Sequence, residues 1–142
     1  MADLVPLRNI APGLAQLDDW EVLLALHQDM RPWDGLVTND ANMLGLPKEM
    51  PVLAQTNLTL VVVKGHGDSP VRATGALLCH MPFICRHTTR ERAQVWSLGV
   101  AQKNYEDVFV YLDKIGEKQG LTGEALFNRH KLSKEELASS PR

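Results

Sequence analysis

The sequence is poor in cysteine, and this absence excludes a disulfide-stapled fold. Cys79 and Cys85 are the two cysteines among 142 residues, too few for a disulfide framework. The first residues also have no basic stretch followed by a long apolar core, which is the pattern of a secretory signal. We therefore predict a reduced, cytoplasmic protein.

Long apolar runs and an excess of one charge are missing as well. The longest strongly apolar run, Leu58 to Val63, is far shorter than the roughly 20 residues that a membrane helix needs. No membrane partner is therefore predicted. The formal net charge of -2 argues against a generic polyanion binder, although it leaves room for a local basic face.

What the sequence does contain is the composition of an ordinary folded domain. Its apolar share is 44% and its charged share 23%, both close to average globular usage. A chain of 142 residues is long enough for one domain and too short for two comfortable ones. We predict an α/β domain over residues 1–85, with a C-terminal helical extension over residues 86–142 packed on it.

One helix and two strands are the clearest local predictions. Asp18 followed by Glu21 has the spacing of a capping box, so a helix is predicted to start there. The apolar pair at residues 36–37 opens directly onto a polar turn, which favours a buried strand. Leu58 to Val63 is a nearly continuous β-branched run, typical of a strand buried on both faces.

The start of the chain gives a further strand candidate. Leu4 to Leu7 is apolar, although Pro6 lacks a backbone donor and would sit best at a sheet edge. With the helix at Asp18 and the strand at residues 36–37, it would form a strand-helix-strand unit. That order favours a parallel pair joined by a right-handed crossover.

Later elements are predicted mainly as helices. Val71 to Cys79 is expected to be helical, with Pro82 stopping or kinking the helix. Thr88 and Glu91 have capping-box spacing and predict a helix through Leu98. Apolar residues from Tyr105 to Ile115 repeat at helical spacing and predict an amphipathic helix ending at Gly120, and Ser133 with Glu136 predicts one more helix start.

The order of the early elements resembles the C-terminal part of PIN-like nuclease domains. The resemblance rests on the Asp-led helix from Asp18 to Leu26, the strand ending in Leu36-Val-Thr-Asn-Asp40, and the buried strand from Leu58 to Val63. It covers roughly residues 3–63. It implies a PIN-like parallel sheet flanked by helices, which cuts RNA with Mg²⁺ or Mn²⁺ held by acidic residues at the C-terminal edge of the sheet.

Carried over to this chain, the resemblance implies catalytic metal ligands at Asp40 and at Asp18 or Asp19. Carboxylate oxygens suit these hard cations. The alternatives are helix capping for the aspartate pair and a turn role for Asp40. Thr38 and Asn42 flank the turn and are predicted to contact substrate or orient the site, with plain strand and turn roles as their alternatives.

The chain also departs from the family pattern. Family members normally begin with a strand that ends in an Asp, and nothing before Asp3 supplies one. Asn42 stands where many members have a second acidic residue. We favour truncation as the explanation for the missing first strand, and truncation would leave this form inactive. The two alternatives are that another chain supplies the strand and that a permuted strand from Asp107 to Asp113 replaces it.

A basic cluster is the remaining candidate for substrate binding. Arg86 and Arg90, together with His87 and Arg92, can position phosphates without reading sequence. The alternative for this cluster is a solvated helix face. The neighbouring cysteines and histidines have none of the spacings of the familiar zinc sites.

We therefore predict a metal-dependent ribonuclease of the PIN-like class, with Mg²⁺ or Mn²⁺ as cofactor and RNA as substrate. A toxin-type enzyme with an antitoxin-like protein partner is one form of this prediction. The alternative is a non-catalytic PIN-like module that binds RNA or protein. A chain short of a central strand also has a reason to form a homo-oligomer, because open strand edges pair.

Overall fold

The fold is an α/β arrangement in which helices flank both faces of one sheet. It is seen in a computed structural model that describes residues 2–64, 69–99 and 103–139. Over these residues the sheet has four strands. The predicted α/β class is confirmed, and the sheet, predicted to be parallel, is mostly parallel.

The elements follow one another in a largely alternating order. The strands are β1 (Gly35–Thr38), β2 (Thr59–Val63), β3 (Gln94–Leu98) and β4 (Lys103–Glu106). The helices are α1 (Leu7–Ile10), α2 (Asp19–Gln28), α3 (Glu49–Thr56), α4 (Pro70–His87), α5 (Val108–Glu117), α6 (Gly123–His130) and α7 (Lys134–Ala138), with 3₁₀ turns at Leu14–Gln16 and Ala41–Gly45.

The strands lie in the sheet in sequence order. β1, β2 and β3 are parallel, and β4 runs antiparallel to β3. Gly35 faces Thr59 at the start of the β1–β2 pair, and a Cβ atom at Gly35 would collide with the Thr59 carbonyl. Glycine at this position therefore allows the two strands to approach each other.

Two apolar cores lie on the two faces of the sheet. On one face Leu60, Val62 and Val95 pack with α2, α3, α5 and α6. On the other face a second core is formed by residues of β2, β3 and α4. Its members are Val61, Val63, Ala76, Ile84, Trp96 and Leu98. Every residue of β2 is buried, as predicted.

The two crossover connections have opposite hands. β1, β2 and β3 are parallel neighbours in sequence order, yet α3 belongs to one core and α4 to the other. With both connections stepping in the same direction across the sheet, one must be right-handed and the other left-handed. This is a departure from the strong preference for right-handed crossovers.

The predicted strand at Leu4 to Leu7 is wrong. Pro6 instead precedes α1, and its carbonyl accepts a hydrogen bond from the Asn9 backbone at 2.8 Å. A local turn therefore satisfies the backbone groups that a strand would have paired. The predicted parallel pair with β1 does not form, and in the described part of the chain β1 is an edge strand.

α4 does not stop at Pro82. The helix continues to His87, because Ile84, beyond the proline, is 1% exposed and packs against the sheet. Proline removes one helical hydrogen bond but its own φ is compatible with a helix. Burial of the following turn outweighs that local cost.

The helix predicted through Leu98 is also wrong, because this segment is β3. Its backbone pairs with β2 on one side and β4 on the other. The Thr88 hydroxyl donates to the Ile84 carbonyl at 2.9 Å instead of capping a new helix. The side chains alternate, with Val95 in one core and Trp96 in the other.

The helix predicted from Tyr105 starts later. Tyr105 belongs to β4, and α5 begins at Val108 with Asp107 as its N-cap. The permuted strand ending in Asp113 is excluded, since Asp113 lies within α5. Gly120 has φ of 70° just beyond this helix, in agreement with the predicted stop.

The segment predicted as a helical extension contains two strands of the sheet. β3 and β4 lie within it, and residues of α5 and α6 join the main core that contains β2 and α2. The boundary predicted between residues 85 and 86 therefore falls inside one continuous packing unit.

Candidate functional site

Asp40 lies just beyond the carboxyl end of β1, in a turn with defined hydrogen bonds. Its backbone N–H donates to the Thr38 hydroxyl at 3.1 Å. Its carboxylate accepts from the Asn42 backbone N–H at 3.0 Å, capping the 3₁₀ turn. Thr38 therefore orients this turn, and the part of Asn42 that contacts Asp40 is its main chain.

Asp18 and Asp19 lie at the amino end of α2. Asp18 forms the predicted capping box with Glu21, and its backbone N–H donates to the Glu21 carboxylate at 2.9 Å. Asp19 occupies the first turn and is half-buried. The cap fixes where the helix begins and so fixes the position of both carboxylates.

The fold brings these three aspartates into electrostatic contact although Asp40 is distant in sequence. Burial raises the pKa of Asp19 above its usual value, and the negative charges of Asp40 and Asp18 raise it further. Like charges that oppose each other's ionisation must lie near one another. Asp18, Asp19 and Asp40 therefore lie near enough for their charges to interact, while their convergence on one metal ion stays a prediction.

A fourth carboxylate, Glu49, joins this group and was missed in the sequence. It lies in the first turn of α3 and is 8% exposed. Burial raises its pKa, hydrogen bonds from the backbone N–H groups of Glu49 and Trp20 lower it in part, and the charges of Asp19 and Asp18 raise it further. We call Asp18, Asp19, Asp40 and Glu49 the carboxylate cluster. The signal for Glu49 in the sequence is an acidic residue at a helix start shortly after the Asp40 turn.

No basic side chain neutralises the carboxylate cluster within the described residues. Salt bridges there join Arg31 to Asp29 and Lys114 to Glu106. The Lys48 ammonium lies over the Trp20 ring, 5.2 Å from its centroid, rather than pairing with a carboxylate. The cluster therefore carries negative charge without a close protein counterion.

The carboxylate cluster offers the type of ligand that a hard cation prefers, but the positions of its side chains do not complete a metal site. Carboxylate oxygens are the ligands that Mg²⁺ and Mn²⁺ prefer. However, in residues 2–64, 69–99 and 103–139, no three carboxylate, His or Cys side chains are placed to hold one ion together. The carboxylate cluster therefore supplies oxygen donors and uncompensated negative charge, but not a full set of metal ligands.

The predicted basic residues lie away from the carboxylate cluster. The Arg90 guanidinium donates to the Trp33 carbonyl, at the amino end of β1, whereas Asp40 follows the carboxyl end. Arg86 is in the last turn of α4, with its guanidinium 5.9 Å from the Phe83 ring centroid. The structure thus does not bring Arg86 and Arg90 together with the acidic residues.

Comparison of the chain with protein-family models, with curated proteins and with solved structures found no match. Among the described residues, none of the helices has both the length and the apolar character required to span a membrane.

Proposed function

We propose that this chain is a metal-dependent ribonuclease of the PIN-like class, with Mg²⁺ or Mn²⁺ bound at the carboxylate cluster. The observation that supports the proposal is a row of neighbouring carboxylates: burial and the charges of Asp40 and Asp18 raise the pKa of Asp19, and burial and the charges of Asp19 and Asp18 raise the pKa of Glu49. Asp40 follows the carboxyl end of β1. Ligand sites of open α/β sheets lie at this edge of the strands.

The roles of the residues follow from their contacts. Asp19 and Asp40 would hold the cation, and the half-buried position of Asp19 lowers the competition from water. Glu49 would add negative charge to the site from an almost fully buried position. Thr38 keeps the Asp40 turn in place through its hydroxyl. Held by these residues, a cation of this kind would supply activation of water and stabilisation of the leaving oxygen of a phosphodiester.

A complete ion site needs a further ligand, and in this proposal a second copy of the chain supplies it by pairing along the edge strand β1. The cleft of about 570 Å³ that borders β1 does not serve this role, because it lies at the amino end of the strand, with Asp3, Trp33 and Asp34 in its lining and no residue of the carboxylate cluster. The homo-oligomer needs no other protein, so it would form in the cleavage assay that follows.

The proposal is tested by RNA cleavage with Mn²⁺. A single-stranded RNA is incubated with the protein, with Asp40→Asn and with Asp34→Asn, which removes a carboxylate from the opposite end of β1. We expect Mn²⁺-dependent cleavage by the parent and the control, and a loss of roughly 100-fold or more in Asp40→Asn, the size seen when one catalytic contact is removed. Equal cleavage by Asp40→Asn, or none by the parent, would contradict the assignment.

A second candidate function is a non-catalytic module that binds RNA or protein. The observation in its favour is that no three metal-ligating side chains converge in the described part of the chain. This alternative expects binding that persists in EDTA and survives Asp40→Asn. Gel filtration in the same experiments would show whether the protein binds as a monomer or an oligomer.

A further inference from the structure

A surface on the other side of the molecule combines aromatic rings with free cations. It is formed where the end of α4 meets the edge strand β4, and its members are Phe83, Arg86, His87, Trp96, Lys103 and Tyr105. We call these residues the α4–β4 shelf. None of them belongs to the carboxylate cluster.

Strand register places the two β4 side chains on the α4 face of the sheet. Trp96 is the partner of Tyr105, and Leu98 is the partner of Lys103. Directly opposed residues in an antiparallel pair point to the same face. Since Trp96 and Leu98 pack against α4, Tyr105 and Lys103 also lie on this face, at the rim of the helix.

The rings form a connected and anchored group. Trp96 is 6% exposed and lies 5.1 Å from Tyr105 and 5.8 Å from Phe83, centroid to centroid. His87 stacks on Phe83 at 4.2 Å. Its Nδ1 is 2.9 Å from the Phe83 carbonyl, and because a carbonyl only accepts, Nδ1 carries the hydrogen. The exposed rings are therefore held in place before any ligand arrives.

Part of this aromatic surface faces solvent. Tyr105 is 37% exposed, and His87 is exposed as well. Exposed, fixed rings lose little conformational entropy when another planar group stacks on them. Tyr105 on the edge strand β4 and His87 at the end of α4 lie beside the buried Trp96, and this arrangement suits the binding of flat ligands.

The cations of the shelf have no carboxylate partner among the described residues. The Lys103 ammonium lies 4.4 Å from the Phe83 ring centroid, and neither Lys103 nor Arg86 takes part in a described salt bridge. Glu106, also on β4, is opposite Val95 and points to the other face, where it pairs with Lys114. The shelf is therefore locally positive although the whole chain is not.

We propose that the α4–β4 shelf binds single-stranded nucleic acid. Bases stack on aromatic side chains irrespective of sequence, while cations beside the rings contact phosphates. A ligand with only negative charge, such as an acidic peptide, would use Lys103 and Arg86 but not the exposed ring of Tyr105. This binding needs no metal and does not rest on the proposed nuclease activity.

The test measures binding in EDTA, where metal-dependent cleavage cannot occur. Fluorescence anisotropy is recorded with labelled oligouridine and oligothymidine at roughly 50 and 200 mM KCl, a range over which phosphate contacts weaken strongly. Tyr105→Leu keeps an apolar contact with Trp96 but removes the ring, Tyr105→Phe keeps the ring, and Lys103→Gln removes one cation. Lys131→Gln is the matched control, because Lys131 also lies over a ring, that of Phe127, at 5.8 Å.

We expect both oligonucleotides to bind, and Tyr105→Leu to weaken binding roughly fivefold or more, the size of one lost stacking contact. Tyr105→Phe should bind as the parent does. Lys103→Gln should weaken binding and lower the salt slope by about one, and Lys131→Gln should change neither. Binding of RNA alone would also support the shelf and would identify the ligand as RNA.

Three outcomes would overturn the proposal: no binding of either oligonucleotide, unchanged binding by both Tyr105→Leu and Lys103→Gln, or equal competition by polyglutamate, which would indicate an acidic protein ligand. If Tyr105→Leu proves unstable, Lys103→Gln decides alone, since Lys103 is exposed. A failed cleavage assay would leave these results unaffected.

Discussion

At the scale of single residues, the main feature is a group of carboxylates that destabilise one another. Asp19 and Glu49 are partly or largely buried, and neighbouring negative charges oppose the ionisation of both. A carboxyl group whose pKa is raised in the folded state costs stability once it ionises. This arrangement is unfavourable for folding, and perturbed carboxyl groups of this kind are candidates for a functional site.

The first prediction concerns the pH dependence of stability in Asp19→Asn. The pKa of Asp19 is higher in the folded chain than in the unfolded chain, so ionisation favours unfolding as pH rises through the ordinary carboxyl range and the raised pKa. The melting temperature of Asp19→Asn relative to the parent should therefore increase from about pH 3 to pH 7. Thermal unfolding followed by circular dichroism across this range measures it.

Asp34→Asn is the control for this experiment. It removes the same kind of charge from the other end of β1, and so separates the loss of one net charge from the loss of charge inside the carboxylate cluster. A difference between Asp19→Asn and the parent that stays constant with pH would contradict the account.

At the scale of elements, close approach of backbones decides the geometry of the β1–β2 pair. A Cβ atom at Gly35 would meet the Thr59 carbonyl and its carbon, both backbone atoms. Backbone atoms inside a sheet cannot rotate away as a flexible side chain does. The position of Asp40 at the end of β1 therefore depends on a glycine at the start of the same strand.

We expect Gly35→Ala to lower the free energy of unfolding by about 1–3 kcal/mol, the usual cost of an extra carbon in a tightly packed site. Urea denaturation measures this change. Gly13→Ala is the matched control, since a Cβ there meets nothing within 4 Å. Equal stability of the two variants would show that β1 and β2 can separate without cost.

The elements also show what local sequence signals can predict. The Asp18–Glu21 box, the apolar-to-polar change at the end of β1 and the buried run of β2 all predicted their elements, because each signal lies within a few residues. β3 was mistaken for a helix because Thr88 and Glu91 imitate a capping box. This segment forms a strand because it pairs with β2, some 35 residues earlier. A pattern within a few residues does not indicate such a pairing.

The same distinction applies to the carboxylate cluster. Asp18, Asp19 and Asp40 could be named from the sequence because each stands at the predicted end of an element. Glu49 offers a weaker signal, an acidic residue at a helix start, because its burial depends on where α3 packs against α2. The distance of Arg90 from Asp40 was equally hidden, since it depends on which end of β1 the start of β3 approaches.

At the scale of the whole molecule, negative and positive surfaces are separated. The carboxylate cluster is formed by Asp40, after the carboxyl end of β1, and by acidic residues at the starts of α2 and α3. The basic and aromatic groups lie around the end of α4 and on β4. Such a separation allows one surface to bind a polyanion and another to bind a cation without mutual neutralisation.

Cation binding at the carboxylate cluster is the central claim, and Mn²⁺ titration followed by electron paramagnetic resonance of the free ion tests it most directly. The parent and Asp34→Asn should bind Mn²⁺ with the same affinity, whereas Asp19→Asn and Asp40→Asn should each weaken binding roughly tenfold or more, because each removes one oxygen ligand. Equal Mn²⁺ affinity in all four proteins, or no binding by the parent, would contradict the account.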